Sequence, residues 1–250
     1  MLHKFNIFIF LILIIAILIF GLGFWWIFGG FLVFFTMIVY GSFQIRANYF
    51  LNSFHQNSET KEKIVALTFD DGPSEFTSKF LDLLEKYHAK ATFFCIGKQI
   101  ENFSEAFQKT IEKGNEIGNH TYSHSRKTGF LSSQKMLSEI ENCDQNIWKF
   151  GNIETKLFRP PFGITNPNIA KAVNLSEKKS IGWNIRSLDT VISSPEKITN
   201  RILSRIKPGS IILLHDTSEK TYKVLEKLLL FLEHENYKML TVSQLLNFEK

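Results

Sequence analysis

The stretch IVALTFDDGP, residues 64–73, places a run of apolar and β-branched residues directly before two carboxylates and a Gly-Pro pair. A short apolar run of this kind is typical of a buried strand in a parallel sheet. Similar runs recur along the chain and alternate with amphipathic helical segments, which predicts a parallel sheet built from β/α units, open or closed. The predicted strands are 64–69, 91–96, 115–119, 156–159, 180–185, 210–215 and 238–240.

Residues with catalytic chemistry follow most of these strands. Asp70 and Asp71 come directly after the first strand, and four further residues stand at or after the ends of later strands: His120, Arg159, Asp189 and His215. Parallel β/α folds build their sites at the carboxyl ends of the strands. We therefore expect these side chains to meet in one pocket.

The segment HTYSH, residues 120–124, places two histidines four residues apart. If the segment is a helical turn, this spacing puts both imidazoles on one face. Two adjacent acids at a strand end are costly to bring together unless a cation or a proton neutralises them. Two histidines and one aspartate would leave one coordination position open, which is the pattern of a catalytic rather than a structural zinc site.

Two further motifs suit acyl-transfer chemistry. In RPPFG, residues 159–163, the paired prolines fix the backbone, so that a following N–H could point at a reacting oxygen, and Arg159 suits a carboxylate partner. In LLHD, residues 213–216, the histidine is a candidate general acid or base. Each motif alone also fits a purely structural role. Their order and their placement at strand ends favour a catalytic site.

Together, the motifs TFDDG, HTYSH, RPPFG, WNIRSLDT and LLHD resemble the five motifs of the polysaccharide deacetylase family, the NodB-homology group or carbohydrate esterase family four. The resemblance covers residues 63–246. It implies a distorted (β/α)7 barrel and metal-dependent removal of acetyl groups from the N-acetylated amino sugars of a cell-wall or lipid-linked glycan. An O-acetyl esterase of the xylan type on the same scaffold and a non-catalytic glycan-binding module are the alternatives.

The resemblance also implies a role for each site residue. A divalent metal, with zinc the expected ion, would be held by Asp71, His120 and His124. Asp70 would be the general base, and Arg159 would orient it. His215 would be the general acid, and Asp189 would tune it. The backbone N–H of Phe162 would bind the oxyanion, while Leu213 and Trp183 would line the substrate pocket. The fourth motif departs from the family pattern, with Arg186 in place of an acid and Thr190 in place of a tryptophan.

Charge and cysteine content exclude other classes of protein. The chain of 250 residues has a net charge of +5, and residues 61–250 hold 27 of its 29 Lys and Arg, interspersed with 23 of its 24 Asp and Glu. A nucleic-acid-binding protein would cluster its basic residues, so no nucleic-acid partner is expected. Cys95 and Cys143 are the two cysteines, which excludes a disulfide scaffold and a zinc site of the CxxC type.

Residues 5–41 are almost wholly apolar and carry no charge. One continuous helix of this length would measure about 55 Å, whereas a bilayer core is about 30 Å thick. We predict a membrane hairpin with spans at 5–20 and 31–45 and a turn within 21–30. A single span is the alternative, and a cleaved signal peptide is disfavoured because no cleavage site is visible.

The predicted organisation is a membrane anchor at 1–47, a linker at 48–62 and a catalytic domain at 63–250. The side of the membrane stays open. The hairpin carries Lys4 and Arg46 near its two ends, which points the catalytic domain to the cytoplasm, whereas a single span would place it outside. A wall polymer as substrate would also require the outside.

Overall fold

A curled parallel sheet forms the centre of the computed structural model, which describes residues 2–248. Within these residues the strands are β1 (Ser53–Phe54), β2 (Ile64–Asp70), β3 (Ala91–Cys95), β4 (Glu116–Asn119), β5 (Leu157–Phe158), β6 (Lys179–Ile181), β7 (Ile185–Arg186), β8 (Ser210–His215) and β9 (Lys238–Leu240). Their order in the sheet is β1-β6-β5-β4-β3-β2-β8-β7, and β9 joins β2 beside β3. The predicted (β/α)7 class is confirmed, as a half-barrel whose end strands β1 and β7 do not pair with each other.

Helices cover the outside of the sheet and follow its strands. They bury apolar faces against a core that centres on Phe69, Phe80 and Phe93. Serine or asparagine side chains cap several of them, and Ser194 is the N-cap of the helix that begins at Pro195. The helices are α3 (Thr77–Lys86), α4 (Gly97–Asn102), α5 (Ser104–Glu112), α6 (Ser133–Gly151), α7 (Pro167–Leu175), α8 (Pro195–Leu203), α9 (Glu219–His234) and α10 (Val242–Leu245).

The predicted strand at 180–185 was wrong as one element. It divides into β6, which pairs with β5 and β1, and β7, which pairs with β8. The residues between them change neighbours because their polar groups are used elsewhere. The carbonyl of Gly182 accepts a hydrogen bond from Arg159, and the Asn184 side chain accepts one from the backbone N–H of Ile211.

Part of the predicted linker 48–62 is ordered on the sheet. Ser53 and Phe54 form β1 parallel to β6, and the buried Ser53 hydroxyl lies 2.8 Å from that of Ser180. Further along, the backbone N–H of Asn57 donates to the carbonyl of Gly209. This segment therefore extends the sheet by one short strand. The domain boundaries themselves remain a prediction.

Two antiparallel apolar helices precede the barrel, α1 (Leu2–Ile19) and α2 (Phe24–Phe43). Both are long and apolar enough to cross a membrane, and most of their large side chains are exposed. The turn occupies residues 20–23, which is narrower than the predicted 21–30. Gly29 and Gly30 lie inside α2 instead. Gly30 faces α1, where an added side chain would collide with Leu13.

Both free ends of this hairpin adjoin the barrel. The backbone N–H of His3 donates to the carbonyl of Tyr49, and the Tyr49 ring packs directly on Gly41 at the end of α2. Thr165 then donates through its backbone N–H to the carbonyl of Ser42 and through its hydroxyl to the carbonyl of Gly41. The end of α2 is thus hydrogen-bonded to the loop that follows β5.

Candidate active site

Three predicted metal ligands come together at the carboxyl edge of the sheet. One carboxylate oxygen of Asp71, Oδ1, lies 3.5 Å from Nε2 of His120 and 3.4 Å from Nε2 of His124. All three ligand atoms lie within 4.8 Å of one another. Asp71 follows β2 directly, and His120 follows β4, so the site joins the ends of two strands.

Backbone geometry aims these side chains at each other. The segment 120–124 is not the helical turn that the spacing suggested, because Thr121 and His124 have φ values of 68° and 47°. Asp71 likewise has φ of 70°. Residues other than glycine rarely adopt such angles, and they cluster at functional sites where the surrounding structure enforces them.

The orientation of the His120 ring is set by its surroundings, as is the pKa of His124. The Nδ1 atom of His120 lies 2.7 Å from the carbonyl oxygen of Arg159, so the Nδ1 proton is donated there and the Nε2 lone pair faces Asp71. Burial and the neighbouring His120 lower the pKa of His124 to about 4, which keeps that ring neutral near pH 7. His124 is therefore prepared to act as a ligand rather than as a cation, and the His120 ring is held with Nε2 toward Asp71.

Asp71 shows that a cation fits this cluster. Its Oδ1 atom is buried and has no hydrogen-bond partner among the described residues. Burial acts to raise the pKa of Asp71, but the imidazoles of His120, His124 and His215 hold it well below its usual range. An ionised, unpartnered carboxylate oxygen between two imidazole nitrogens is a donor set that suits zinc and similar divalent ions.

Asp70, the predicted base, is buried and paired. Its Oδ1 accepts a hydrogen bond of 2.7 Å from Nη1 of Arg159, while its Oδ2 faces the metal-ligand cluster, 3.9 Å from Nε2 of His120. Because Arg159 occupies one oxygen, the other is left toward the reacting centre. This is the arrangement expected of an oriented general base.

Arg159 itself is completely buried and held at every edge. Nη1 also donates to the Thr68 hydroxyl, and Nε and Nη2 donate to the carbonyls of Ile181 and Gly182. The guanidinium lies 4.0 Å from the centre of the Phe94 ring. Lysine could not replace the guanidinium here, because it lacks this fixed, planar set of donors.

His215, the predicted acid, is coupled to Asp189. Its Nδ1 lies 2.8 Å from Asp189 Oδ1, and its backbone N–H donates to Asp189 Oδ2. Burial acts to lower the pKa of His215, but the Asp189 carboxylate outweighs it and raises the pKa to about 9. The opposite ring atom, Nε2, lies 3.9 Å from Asp71 Oδ2 and faces the site.

The remaining predicted residues lie around this centre. Leu213 precedes His215 by two residues on β8, so both side chains project from the same face of the strand. Phe162 has φ of 59°, and its half-exposed ring lies 4.7 Å from that of His124. Trp183 packs against Gly163, where an added side chain would collide with the indole.

Several supporting residues were missed by the sequence reasoning. Glu139 on α6 accepts hydrogen bonds from the backbone N–H and the hydroxyl of Ser123, which holds the loop between the two histidines. The Thr221 hydroxyl on α9 donates to Asp189. Asp216 is buried against Gly72, beside Asp71, and its burial raises its pKa to about 7. Glu139 and Thr221 stand outside the motifs and strand ends that would have marked them. Asp216 stands in the motif LLHD, but no role was predicted for it.

Comparisons with known proteins agree with this geometry. The family model for polysaccharide deacetylases matches residues 57–179. A peptidoglycan-N-acetylglucosamine deacetylase of Bacillus cereus is 34% identical over 194 residues, which cover 75% of this chain and 90% of that protein. The peptidoglycan-N-acetylmuramic acid deacetylase PdaC of Bacillus subtilis is 31% identical over 193 residues, but the match covers only 40% of its length.

Solved structures share the fold. That of PdaC superposes with a TM-score of 0.70 at 30% identity, covering 74% of this chain and 91% of that one. BA3943 of Bacillus anthracis, described as a pseudoenzyme of carbohydrate esterase family four, gives a TM-score of 0.72 at 25% identity, covering 78% of this chain and 69% of that one. With these relatives and this site, the chain belongs to the polysaccharide deacetylase family and is an enzyme of the deacetylase class.

Proposed function

We propose that this protein is a membrane-anchored, metal-dependent hydrolase that removes acetyl groups from the N-acetylated amino sugars of a glycan. The observation that carries the proposal is the unpartnered Oδ1 atom of Asp71 between the two histidine nitrogens, next to Asp70 and His215. A binding module would not need this set of ligands, base and acid. The set argues for activity here although one similar structure is of a pseudoenzyme.

In this proposal Asp71, His120 and His124 hold the ion, with zinc favoured by the ligand types. A divalent ion bound there would act as a Lewis acid toward the acetyl carbonyl and the attacking water. The backbone N–H of Phe162, after the rigid Pro160–Pro161 pair, would donate to the oxygen of the carbonyl as negative charge develops on it. Leu213 and Trp183 would form the apolar wall around the acetyl group.

Two proton transfers complete the reaction. Asp70 accepts the proton of the attacking water at Oδ2, while Arg159 holds Oδ1 and keeps the carboxylate in place. His215 donates a proton from Nε2 to the leaving nitrogen as the C–N bond breaks, while Nδ1–H stays on Asp189. Each positioned transfer typically contributes about 10²–10⁴-fold to the rate. The products are acetate and a free amino sugar.

The acid also favours N-deacetylation over ester hydrolysis. An amine leaves poorly unless it is protonated, whereas an alkoxide needs less help. The Asp189 carboxylate keeps His215 protonated near pH 7, because it raises the pKa of His215 to about 9. A general acid that is protonated near pH 7 suits an amide substrate.

Membrane anchoring rests on the two apolar helices. At about 1.5 Å per residue, α1 and α2 measure about 27 and 30 Å, which matches a bilayer core of about 30 Å. Their exposed leucine, isoleucine and phenylalanine side chains would meet hydrocarbon rather than water. A reporter that is active in only one compartment, fused to the C-terminus, would determine the side on which the catalytic domain lies.

The test is acetate release by the purified full-length protein in detergent, offered N-acetylglucosamine oligomers, peptidoglycan and acetylated xylan in parallel. We expect release from the amino-sugar substrates that a chelator stops and a divalent ion restores. Release from xylan alone would favour the esterase. Release that is unaffected by the chelator would contradict the metal site. For a variant that lacks a ligand histidine, the matched control is His234→Ala, which removes an exposed histidine on α9.

A further inference from the structure

One exposed loop beside the site does not take part in the proposed chemistry. Residues 126–130, RKTGF, follow the ligand His124 and carry two exposed cations, Arg126 and Lys127, and one aromatic ring, Phe130, which is 91% exposed. We call this segment the RKTGF loop. This large apolar side chain is held in solvent on a short 3-10 turn (Thr128–Phe130), next to the two cations.

The RKTGF loop is tied to the end of the hairpin. The carbonyl of Gly129 accepts a hydrogen bond of 2.7 Å from the Asn166 side chain, and Gly129 also lies next to Ile164. The neighbouring Thr165 donates to the carbonyls of Gly41 and Ser42 at the end of α2. Two steps of direct contact therefore connect the loop to the point where the hairpin emerges.

Charge is distributed very unevenly around this point. The three segments that meet there, residues 2–58, 121–138 and 155–176, contain no aspartate or glutamate, although the chain has 24. They do contain exposed cations, among them Lys4, Arg46, Arg126 and Lys127. A surface that lacks acids and adjoins a membrane-spanning hairpin is complementary to anionic lipid headgroups.

We propose that the RKTGF loop docks on the anionic surface of the bilayer that the hairpin spans. Phe130 enters the interfacial layer, and Arg126 and Lys127 lie among the lipid phosphates. This inference rests on the membrane anchor of the proposed function. It holds the mouth of the active site, formed in part by the loops after β4 and β5, at the membrane surface, so that substrates carried close to the bilayer are reached first.

The experiment places one environment-sensitive fluorophore on a cysteine at position 130 of the full-length protein in vesicles. The native Cys95 and Cys143 are fully buried, so the added cysteine is the reactive one. The label is also placed at position 33, in α2, and at position 230, an exposed leucine on α9, as the membrane and solvent references. Vesicles are phosphatidylcholine with or without phosphatidylglycerol, and spin-labelled lipids serve as quenchers.

In vesicles that contain phosphatidylglycerol, we expect the emission of the fluorophore at position 130 to be blue-shifted and to be quenched by lipids that carry a shallow spin label. The emission of the fluorophore at position 230 should remain that of a label in water. Arg126→Glu with Lys127→Glu should reverse most of this shift without changing acetate release from soluble oligosaccharides in detergent.

Three results would overturn the inference in different ways. A label at 130 that stays in water while the label at 33 lies in lipid would show that the anchor holds but the loop does not dock. If the label at 33 is also in water, the anchor itself fails. A double variant that weakens binding of soluble oligosaccharides, with an unchanged shift at 130, would assign the loop to the glycan instead.

Discussion

The two groups of carboxylates in the site are held in opposite ways. Asp70 and Asp189 are buried; Arg159 engages one oxygen of Asp70, and both oxygens of Asp189 are engaged by His215, Ser187 and Thr221. Asp71 is 31% exposed at its side chain, and its Oδ1 atom lies among histidines without a hydrogen bond. The acid–base pairs are complete within the described residues, whereas the metal-ligand cluster is not.

This difference separates what the fold supplies from what an ion would supply. Asp70 and Asp189 hold their geometry through donors on neighbouring strands and helices, so that this geometry needs no ion. In the cluster of Asp71, His120 and His124, the buried Oδ1 atom of Asp71 has no donor among the described residues, and a bound cation would supply the missing positive charge. We therefore expect the two groups to respond differently to substitution, to chelation and to pH.

The largest effect is expected from His124→Ala. Loss of one of three protein ligands should remove the ion and reduce acetate release to background, because the Lewis acid is lost. The melting temperature in the presence of chelator should change little, since His124 is partly exposed and does not hold the core. Metal content and kcat/KM measure the first point, and thermal unfolding measures the second. A variant that keeps the ion would contradict the assigned ligand set.

Asp70→Asn should lower kcat by about 10²–10⁴-fold while the bound ion remains. The amide oxygen can still accept from Arg159, so this hydrogen bond is kept although the charge of the ion pair is lost, but the amide cannot take a proton from water. Steady-state kinetics together with metal analysis of the same sample measure both quantities. Loss of metal in parallel with activity would move Asp70 into the ligand group and erase the distinction drawn above.

Asp189→Asn should act through His215 and shift a pH dependence. In the ion-free protein Asp189 raises the pKa of His215 from 6.5 to about 9, and the variant should bring it back toward or below 6.5. Because the folded-state pKa is raised, this pair stabilises the fold fully below pH 6.5. That contribution is lost as the pH rises through about 9.

The alkaline decline of kcat should accordingly begin at lower pH in Asp189→Asn than in the parent enzyme. An NMR titration of the His215 ring in both proteins measures the shift directly. Ser187→Ala, which removes one supporting hydrogen bond but leaves both charges, is the matched control. Equal titration midpoints in Asp189→Asn and the parent would show that Asp189 does not tune the acid.

The smallest effect is expected from Phe162→Ala and Phe162→Gly. The proposed role of this residue lies in its backbone N–H, and glycine accepts the φ of 59° without strain. Values of kcat/KM near those of the parent enzyme would support a backbone role. A loss of tenfold or more, about 1.4 kcal/mol of transition-state stabilisation, would show that the ring itself contacts the substrate.

The alternation of strands and helices could be predicted because the predicted strands are short apolar runs, most of them with a catalytic residue at or after the end. β1 could not be predicted, since its two residues carry no periodic signal, and β7 could not be separated from β6. Their position depends on partners distant in sequence, as in the pairing of Ser53 with Ser180. The division of 180–185 likewise depends on Arg159, which takes the carbonyl of Gly182.

The residues of the site could be named from their motifs, but their geometry could not be derived. The spacing of His120 and His124 suggested a helical turn, whereas positive φ values at Thr121 and His124 bring the two imidazoles together. Glu139 and Thr221 contribute from helices far along the chain. A local sequence pattern contains no information about such contacts, because tertiary packing creates them.

Arg159 has a consequence for how activity on this scaffold can be lost. Its guanidinium connects β2 to β6 through Thr68, Asp70, Ile181 and Gly182. Removing one partner of a buried ion pair typically costs about 3–5 kcal/mol, a large share of the stability of a domain. A descendant of this protein can therefore lose a metal ligand and stay folded, whereas the loss of Arg159 would also destabilise the fold. In an inactive lineage this arginine should be among the last residues of the reaction centre to change.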